Sequence, residues 1–125
     1  MVSEERPVVL LVEDDPVTAR SIERGLRRGA RVVAVSSAAS AAEVLRRAAF
    51  AAVWSDLDLG GPTTGVEVLQ LAARTQPTAA LYLVTGSVAD VHGEALDARV
   101  VIFPKSAMAV AIQHVLLRLE IAADA

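Results

Sequence analysis

The sequence predicts an α/β fold in which helices cover both faces of a parallel sheet. Three observations carry that reading. Five short apolar runs, rich in β-branched residues, recur along the 125 residues. Each leads into a stretch whose apolar residues return every three or four positions, the helical period. The runs are continuously apolar rather than alternating, as expected of strands buried on both faces.

The elements follow in order. VVLLV (8–12) is the first strand. Asp15 followed by Pro16 supplies an N-cap with proline at the first helical position. Ala19, Ile22 and Leu26 then share one stripe of a helix over 16–28. RVVAV (31–35) is the second strand. Ser40 and Glu43 have capping-box spacing for a helix over 40–48, with Ala41, Val44, Leu45 and Ala48 inward. AAVW (51–54) is the third strand. Thr64 and Glu67 repeat the box ahead of a shorter helix over 65–73 that carries Val66, Leu69 and Ala73. ALYLVT (80–85) is the fourth strand, followed by the least regular helical pattern, 88–97, opened by Ser87 with Asp90. RVVIF (99–103) is the fifth strand. The stretch 107–120 has the clearest apolar face, formed by Met108, Ile112, Val115, Leu116 and Leu119.

A βα unit repeated five times gives right-handed crossovers and a three-layer, doubly wound arrangement. The expected architecture is a flavodoxin-like five-stranded parallel sheet, order 2-1-3-4-5, with five helices. Ligands in such sheets bind beyond the carboxyl ends of the strands, where the order reverses. Here that point lies between the first and third strands.

Composition narrows the function. Residues are 54% hydrophobic but only 3% aromatic, so the core is aliphatic. A net charge of −3 argues against a general binder of nucleic acid or anionic membrane. The absence of cysteine excludes disulfides, thiolate catalysis and Cys-based metal sites, and fits the cytoplasm. No uninterrupted apolar stretch reaches the roughly 18 residues that span a bilayer. The opening MVSEERP is not a signal peptide. Residues 1–125 read as one domain, with no output domain visible.

Residues just past each strand hold the chemistry. Glu13, Asp14 and Asp15 follow the first strand, and Asp56 and Asp58 follow the third. Thr85 ends the fourth, and the fifth runs into Lys105. Carboxylates gathered at the switch point repel by on the order of 4 kcal/mol per pair at about 4 Å and an effective dielectric near 20. A cation or a proton must offset that. All-oxygen ligands select a hard divalent ion, and Mg²⁺ takes one or two carboxylates together with a phosphate oxygen. Carboxylates, a hydroxyl, a lysine and a metal suit phosphoryl chemistry, with a carboxylate as nucleophile. Asp15 reads as the helix cap rather than a ligand.

Four segments, VVLLVEDDP, WSDLDL, LVTG and IFPK, together resemble the receiver domain of bacterial two-component response regulators over essentially the whole chain. The resemblance implies roles by position. Asp56 would be the phosphoacceptor, Asp14 a direct Mg²⁺ ligand and Glu13 a water-mediated one. Asp58 would lend its backbone carbonyl to the metal. Thr85 and Lys105 would each hold a phosphoryl oxygen, and Thr85 and Ile102 occupy the switch positions. The implied partners are a sensor histidine kinase or phosphotransfer protein and an unknown downstream protein, without direct nucleic-acid or membrane binding. The chain would be a monomer or a weak phosphorylation-dependent dimer. It would catalyse its own phosphorylation and dephosphorylation without being a turnover enzyme.

The chain departs from the family pattern in places. Ser106 follows Lys105 where proline is usual, so a trans bond is expected and Ser106 can cap the last helix. Ile102 stands where an aromatic switch residue is usual, and Phe103 should point the other way along its strand. The short gap from Thr85 to Lys105 stunts the fourth helix. Gly60 and Gly65 allow positive φ or a close backbone approach to a ligand.

Other residues read as structural. Trp54 is core, and His92 and His114 serve surface or packing roles. Arg20, Arg24, Arg27, Arg28, Arg31, Arg46 and Arg47 are solvated helix faces and caps, with a partner patch as the lesser reading. Two rival functions remain open. Glu13 with Asp56-x-Asp58 also resembles a Toprim-like Mg²⁺-dependent nucleic-acid enzyme, although no basic footprint supports it. A receiver-like module could also dock without phosphorylation.

Overall fold

The structure, a computed structural model, describes residues 6–91 and 96–124. In chain order the elements are β1 (Val8–Val12), α1 (Pro16–Leu26), β2 (Arg31–Val35), α2 (Ala38–Arg47), β3 (Ala52–Ser55), α3 (Gly65–Thr75), β4 (Ala80–Thr85), β5 (Val100–Pro104) and α4 (Met108–Asp124). The strands form one parallel sheet in the order β2-β1-β3-β4-β5. The three-layer, flavodoxin-like architecture is therefore the one expected.

Both faces of the sheet are apolar because successive side chains alternate between them. Leu10, Val12, Val53, Leu81 and Leu83 face α2 and α3, where Leu45 and Leu69 close the layer. Val9, Leu11, Trp54, Tyr82 and Val84 face α1 and α4, where Ile22, Leu26 and Val115 close it. Each fully buried Leu or Val contributes roughly 1.5–3 kcal/mol of transfer free energy. Trp54 is thus a core residue, as expected.

Register places the site. Val12 pairs with Ser55 across the β1–β3 ladder. That ladder continues one residue further, with Asp56 N–H donating to the Val12 carbonyl at 3.0 Å, and on the other side of β1 Glu13 N–H donates to the Val35 carbonyl of β2 at 3.1 Å. Glu13 and Asp56 are therefore held side by side by backbone pairing.

Several local expectations need correction. β3 and β5 begin one residue later than predicted. β2 and β5 are not covered on both faces: they are the sheet edges, and Val33 and Ile102 stay 38% and 37% exposed. The cap of α2 is Ser37, whose hydroxyl accepts from Ser40 N–H at 3.1 Å, so the helix starts a turn before the Ser40–Glu43 box. Thr64 is the N-cap of α3 but makes no side-chain cap bond. Asp15 caps α1 as predicted, accepting from Thr18 N–H at 3.0 Å.

Four α-helices form among the described residues where five were expected. Among the described residues between β4 and β5, a 3₁₀ turn forms over Val88–Val91. His92 and the middle of the predicted 88–97 helix lie outside the described residues. Pro104 precedes a 3₁₀ turn over Lys105–Ala107 that leads into α4, so Ser106 sits inside that turn rather than capping the helix. No cis peptide occurs among the described residues. The segment Lys105–Ala123 is long and apolar enough to cross a membrane by length and composition. In this fold one side of it packs the sheet through Ala111, Val115 and Leu119.

The amino ends of the strands are fastened by two polar side chains. Gln76, 5% exposed, accepts from Phe50 N–H at 2.9 Å and donates to the carbonyls of Leu45 and Ala48 at 3.0 and 2.8 Å. Arg99 donates to the carbonyls of Ala73, Gln76, Pro77 and Ala79 and pairs with Asp97 at 3.2 Å. The two residues satisfy the carbonyls left open at the ends of α2 and α3.

Candidate metal and phosphoryl site

Glu13, Asp14 and Asp56 offer carboxylate oxygens that lie within 4.8 Å of one another. Glu13 and Asp56 are buried and Asp14 is exposed, so the cluster opens to solvent on one side. Lys105 reaches in from the end of β5. Its Nζ lies 3.1 Å from Asp56 Oδ2 and 3.4 Å from Glu13 Oε1. The first is a hydrogen bond; the second is a looser ion contact.

Charge is unbalanced. Three carboxylates share one ammonium, and each carboxylate pair costs on the order of 3 kcal/mol at this range and an effective dielectric near 20. Glu13 shows the strain most clearly. Its Oε2 accepts from Asp15 N–H at 3.1 Å, while its buried Oε1 has no hydrogen-bond partner. Burial, helped by the Asp56 charge, pushes the Glu13 carboxyl above its ordinary pKa despite the opposing Asp15 N–H and Lys105. For Lys105, burial alone would lower the pKa. The hydrogen bond and charge of Asp56, with Glu13 behind them, outweigh it and leave the ammonium raised.

A buried carboxylate oxygen with no hydrogen bond and only the looser Lys105 ion contact, within an all-oxygen set, is what a hard divalent cation would satisfy. The residues present therefore fit Mg²⁺.

Asp56 is held from both sides. Its Oδ1 accepts from Leu57 N–H at 2.8 Å and its Oδ2 from Lys105. Behind it, the Ser55 hydroxyl, fully buried, donates to the Asp56 carbonyl at 2.8 Å. Gly65 presses on the same carbonyl: a Cβ there would lie 1.9 Å from the Asp56 oxygen. The close approach that Gly65 permits is thus to the Asp56 backbone, not to a ligand. Gly60, at φ +79°, backs against Asp14, where an added Cβ would lie 3.3 Å from Oδ2. The Asp58 side chain is exposed and accepts from Gly60 N–H at 3.0 Å, forming the turn.

Thr85 is buried at the end of β4, and its hydroxyl accepts from Ser87 N–H at 3.0 Å. It makes no bond to Asp56 or Lys105, yet its own proton remains uncommitted among the described residues. Ile102 is exposed, while Phe103 turns to the other face and stacks near Tyr82 and His114. His114 is a packing residue, with Nδ1 3.0 Å from the Tyr82 hydroxyl. The structure thus joins Glu13, Asp14, Asp56 and Lys105, sets Thr85 at a neighbouring strand end, and leaves Ile102 apart. Ser55 and Gly65 were missed as supports because neither residue type signals, in sequence, which backbone it will meet.

Residues 9–105 match the family described as response regulator receiver domain. Solved structures share the fold. A response regulator receiver protein from Sinorhizobium medicae WSM419 is 24% identical, with a TM-score of 0.82 over 94% of this chain and 96% of that one. A CheY-like receiver domain from Methylobacillus flagellatus is 24% identical, with a TM-score of 0.76 over 92% and 99%. A response regulator from Burkholderia pseudomallei, solved with a phosphorylated aspartic acid, calcium ion and citrate, is 24% identical, with a TM-score of 0.72 over 94% and 72%. No curated protein is similar enough in sequence to count as a match.

Proposed function

The chain belongs to the response regulator receiver domain family, signalling domains of two-component systems, and from that premise we propose that Asp56 accepts a phosphoryl group from phosphohistidine in a Mg²⁺-dependent step. The observation that carries this reading is the under-neutralised cluster of Glu13, Asp14 and Asp56 with Lys105 bridging it. Glu13, Asp14, Asp56 and the Asp58 carbonyl are the groups that would hold the metal. Bound there, Mg²⁺ supplies positive charge to the crowded carboxylates and to phosphoryl oxygens. The phosphorylated, calcium-bound relative points the same way.

The chain's own residues do the rest. One Asp56 carboxylate oxygen attacks phosphorus, the P–N bond to the donor histidine breaks, and the imidazole leaves with its electron pair. The product is an acyl phosphate carrying about −2 charge. Lys105, now paired with Asp56, is positioned to move onto a phosphoryl oxygen. The uncommitted Thr85 proton can donate to another. These movements would bias a pre-existing equilibrium between surface states. With Ile102 in place of an aromatic, that bias cannot pass through a swinging ring at this position. Hydrolysis of the acyl phosphate would return the domain to its resting state, so it catalyses its own modification and not a turnover reaction.

In this reading residues 1–125 act as one receiver unit in the cytoplasm, facing a histidine kinase or phosphotransfer protein. Acetyl phosphate with Mg²⁺ should add one phosphoryl mass, and the Asp56→Asn variant should add none. A phosphoryl mass retained in that variant would falsify the assignment.

A further inference from the structure

Five polar or charged residues are buried among the described residues: Glu13, Ser55, Asp56, Gln76 and Thr85. Glu13, Asp56 and Thr85 belong to the carboxyl end of the sheet, and Gln76 fastens the amino end. Ser55 is the fifth, and its place suits an apolar residue. It ends β3, fully buried, between Val12 of β1 and Leu83 of β4. Strand alternation turns its side chain to the α3 face with Val53, away from Trp54. Val12 and Val84 hold the corresponding places before Glu13 and Thr85, and both are apolar and buried. A buried hydroxyl is costly unless it is hydrogen-bonded. Alanine would fill the place without that demand.

The hydroxyl has a specific acceptor. It donates to the Asp56 carbonyl at 2.8 Å. That carbonyl belongs to the peptide joining Asp56 to Leu57. The N–H of the same peptide donates to Asp56 Oδ1, also at 2.8 Å. A peptide unit is planar, so its C=O and N–H tip as one body. Holding the oxygen at Ser55 therefore holds the hydrogen that binds Oδ1. With Oδ1 held, Oδ2 is left towards Lys105 Nζ, 3.1 Å away.

The start of α3 closes the arrangement. A Cβ on Gly65 would lie 1.9 Å from the Asp56 carbonyl oxygen and 2.9 Å from Ser55 Oγ, so the bare Cα packs over both. The next peptide is held as well, because Gly65 N–H donates to the Leu57 carbonyl at 2.8 Å. The backbone leaving β3 is thus pinned at two successive units. The first pin is a side chain that can be removed without touching the carboxylate.

Resting on the phosphoacceptor reading, we propose that Ser55 is a positioning residue for phosphoryl transfer: its hydroxyl holds the Asp56–Leu57 peptide, and that peptide orients the Asp56 carboxylate. Ser55 is fully buried behind Asp56, so it acts through the peptide and not on the phosphoryl group.

Ser55→Ala and Ser55→Thr test this against the wild type. In EDTA, hydrogen exchange of the Leu57 amide should quicken by about tenfold or more in Ser55→Ala. Exchange of the Val53 and Leu81 amides should stay as in the wild type, which shows that the core is intact. Labelling of Ser55→Ala by acetyl phosphate with Mg²⁺ should reach one phosphoryl mass but slow by about tenfold, since a carboxylate misplaced by a fraction of an ångström loses rate. Ser55→Thr keeps the hydroxyl and should match the wild type in both measurements. Wild-type labelling rate in Ser55→Ala, an unaltered Leu57 amide in that variant, or a Ser55→Thr protein as slow as Ser55→Ala overturns the positioning proposal. A wild type that acquires no phosphoryl mass overturns instead the phosphoacceptor reading beneath it.

Discussion

The two ends of the sheet handle buried polarity in opposite ways. At the amino ends, Gln76 and Arg99 meet open backbone groups from α2, α3 and the turn before β4, and every partner is within hydrogen-bonding distance. At the carboxyl ends, three carboxylates crowd around one lysine and Glu13 Oε1 is left without a hydrogen bond. The first arrangement stabilises the fold. The second costs stability in the resting state and holds charge ready for a cation and a phosphoryl group. Function is to be sought at the polar cluster the fold leaves unsatisfied, not at the one it satisfies.

Substitutions at each end should separate the two roles. The largest effect should come from Asp56→Asn, which removes all phosphoryl labelling while leaving the urea midpoint unchanged or higher, because one of the crowded charges is gone. Gly65→Ala should follow. Its Cβ would overlap the Asp56 carbonyl, so a loss of at least about 3 kcal/mol is expected, together with impaired labelling as Asp56 is displaced. Gln76→Ala should cost about 3 kcal/mol, since it strands Phe50 N–H and the Leu45 and Ala48 carbonyls. Labelling of the folded Gln76→Ala protein should be unchanged. Lost labelling there would break the division between the two ends.

A smaller effect should come from Glu13→Gln, which is expected to raise stability in EDTA by on the order of 1 kcal/mol at neutral pH. The sign follows from the raised carboxyl. The folded protein binds the Glu13 proton more tightly than the unfolded chain does. The wild type should therefore lose stability as pH rises from the ordinary carboxylate pKa through the folded value, and the Gln variant should lack that component. Urea midpoints of both proteins across pH 4–8 measure it.

The smallest effect lies between the two ends, at Tyr82, the only tyrosine. Burial pushes its hydroxyl above 10.0, with Arg118 opposing. Tyrosinate absorbance should therefore develop at higher pH in the folded protein than in the urea-unfolded chain, and that contribution to stability should fall as pH rises past the unfolded value. Tyr82→Phe should cost about 0.5–1.5 kcal/mol through the lost bond to His114.

Sequence disclosed the two ends unequally. Glu13, Asp14, Asp56, Thr85 and Lys105 were legible because each sits immediately after an apolar run, and strand ends in a doubly wound sheet converge. Gln76 and Arg99 were not, because their partners lie 20–31 residues away and a lone polar residue past a helix or at the start of a strand looks solvated. The α2 cap was misplaced by a turn because Ser37 and Ser40 both qualify locally, and packing of Ala38 against the core decides between them. After β4 the described residues show a 3₁₀ turn over Val88–Val91, and the middle of the predicted 88–97 helix lies outside them.

If the carboxyl end of the sheet is left unsatisfied because it is built for a divalent cation beside Asp56, that cation must stabilise the folded chain. Urea unfolding with and without Mg²⁺ tests it most directly. The wild type should gain stability with Mg²⁺ as RT ln(1 + [Mg²⁺]/Kd), about 2.7 kcal/mol at one hundred times Kd, and Asp14→Ala/Asp56→Asn should gain none. An unfolding midpoint that Mg²⁺ leaves unmoved in the wild type, or moves equally in that variant, contradicts it.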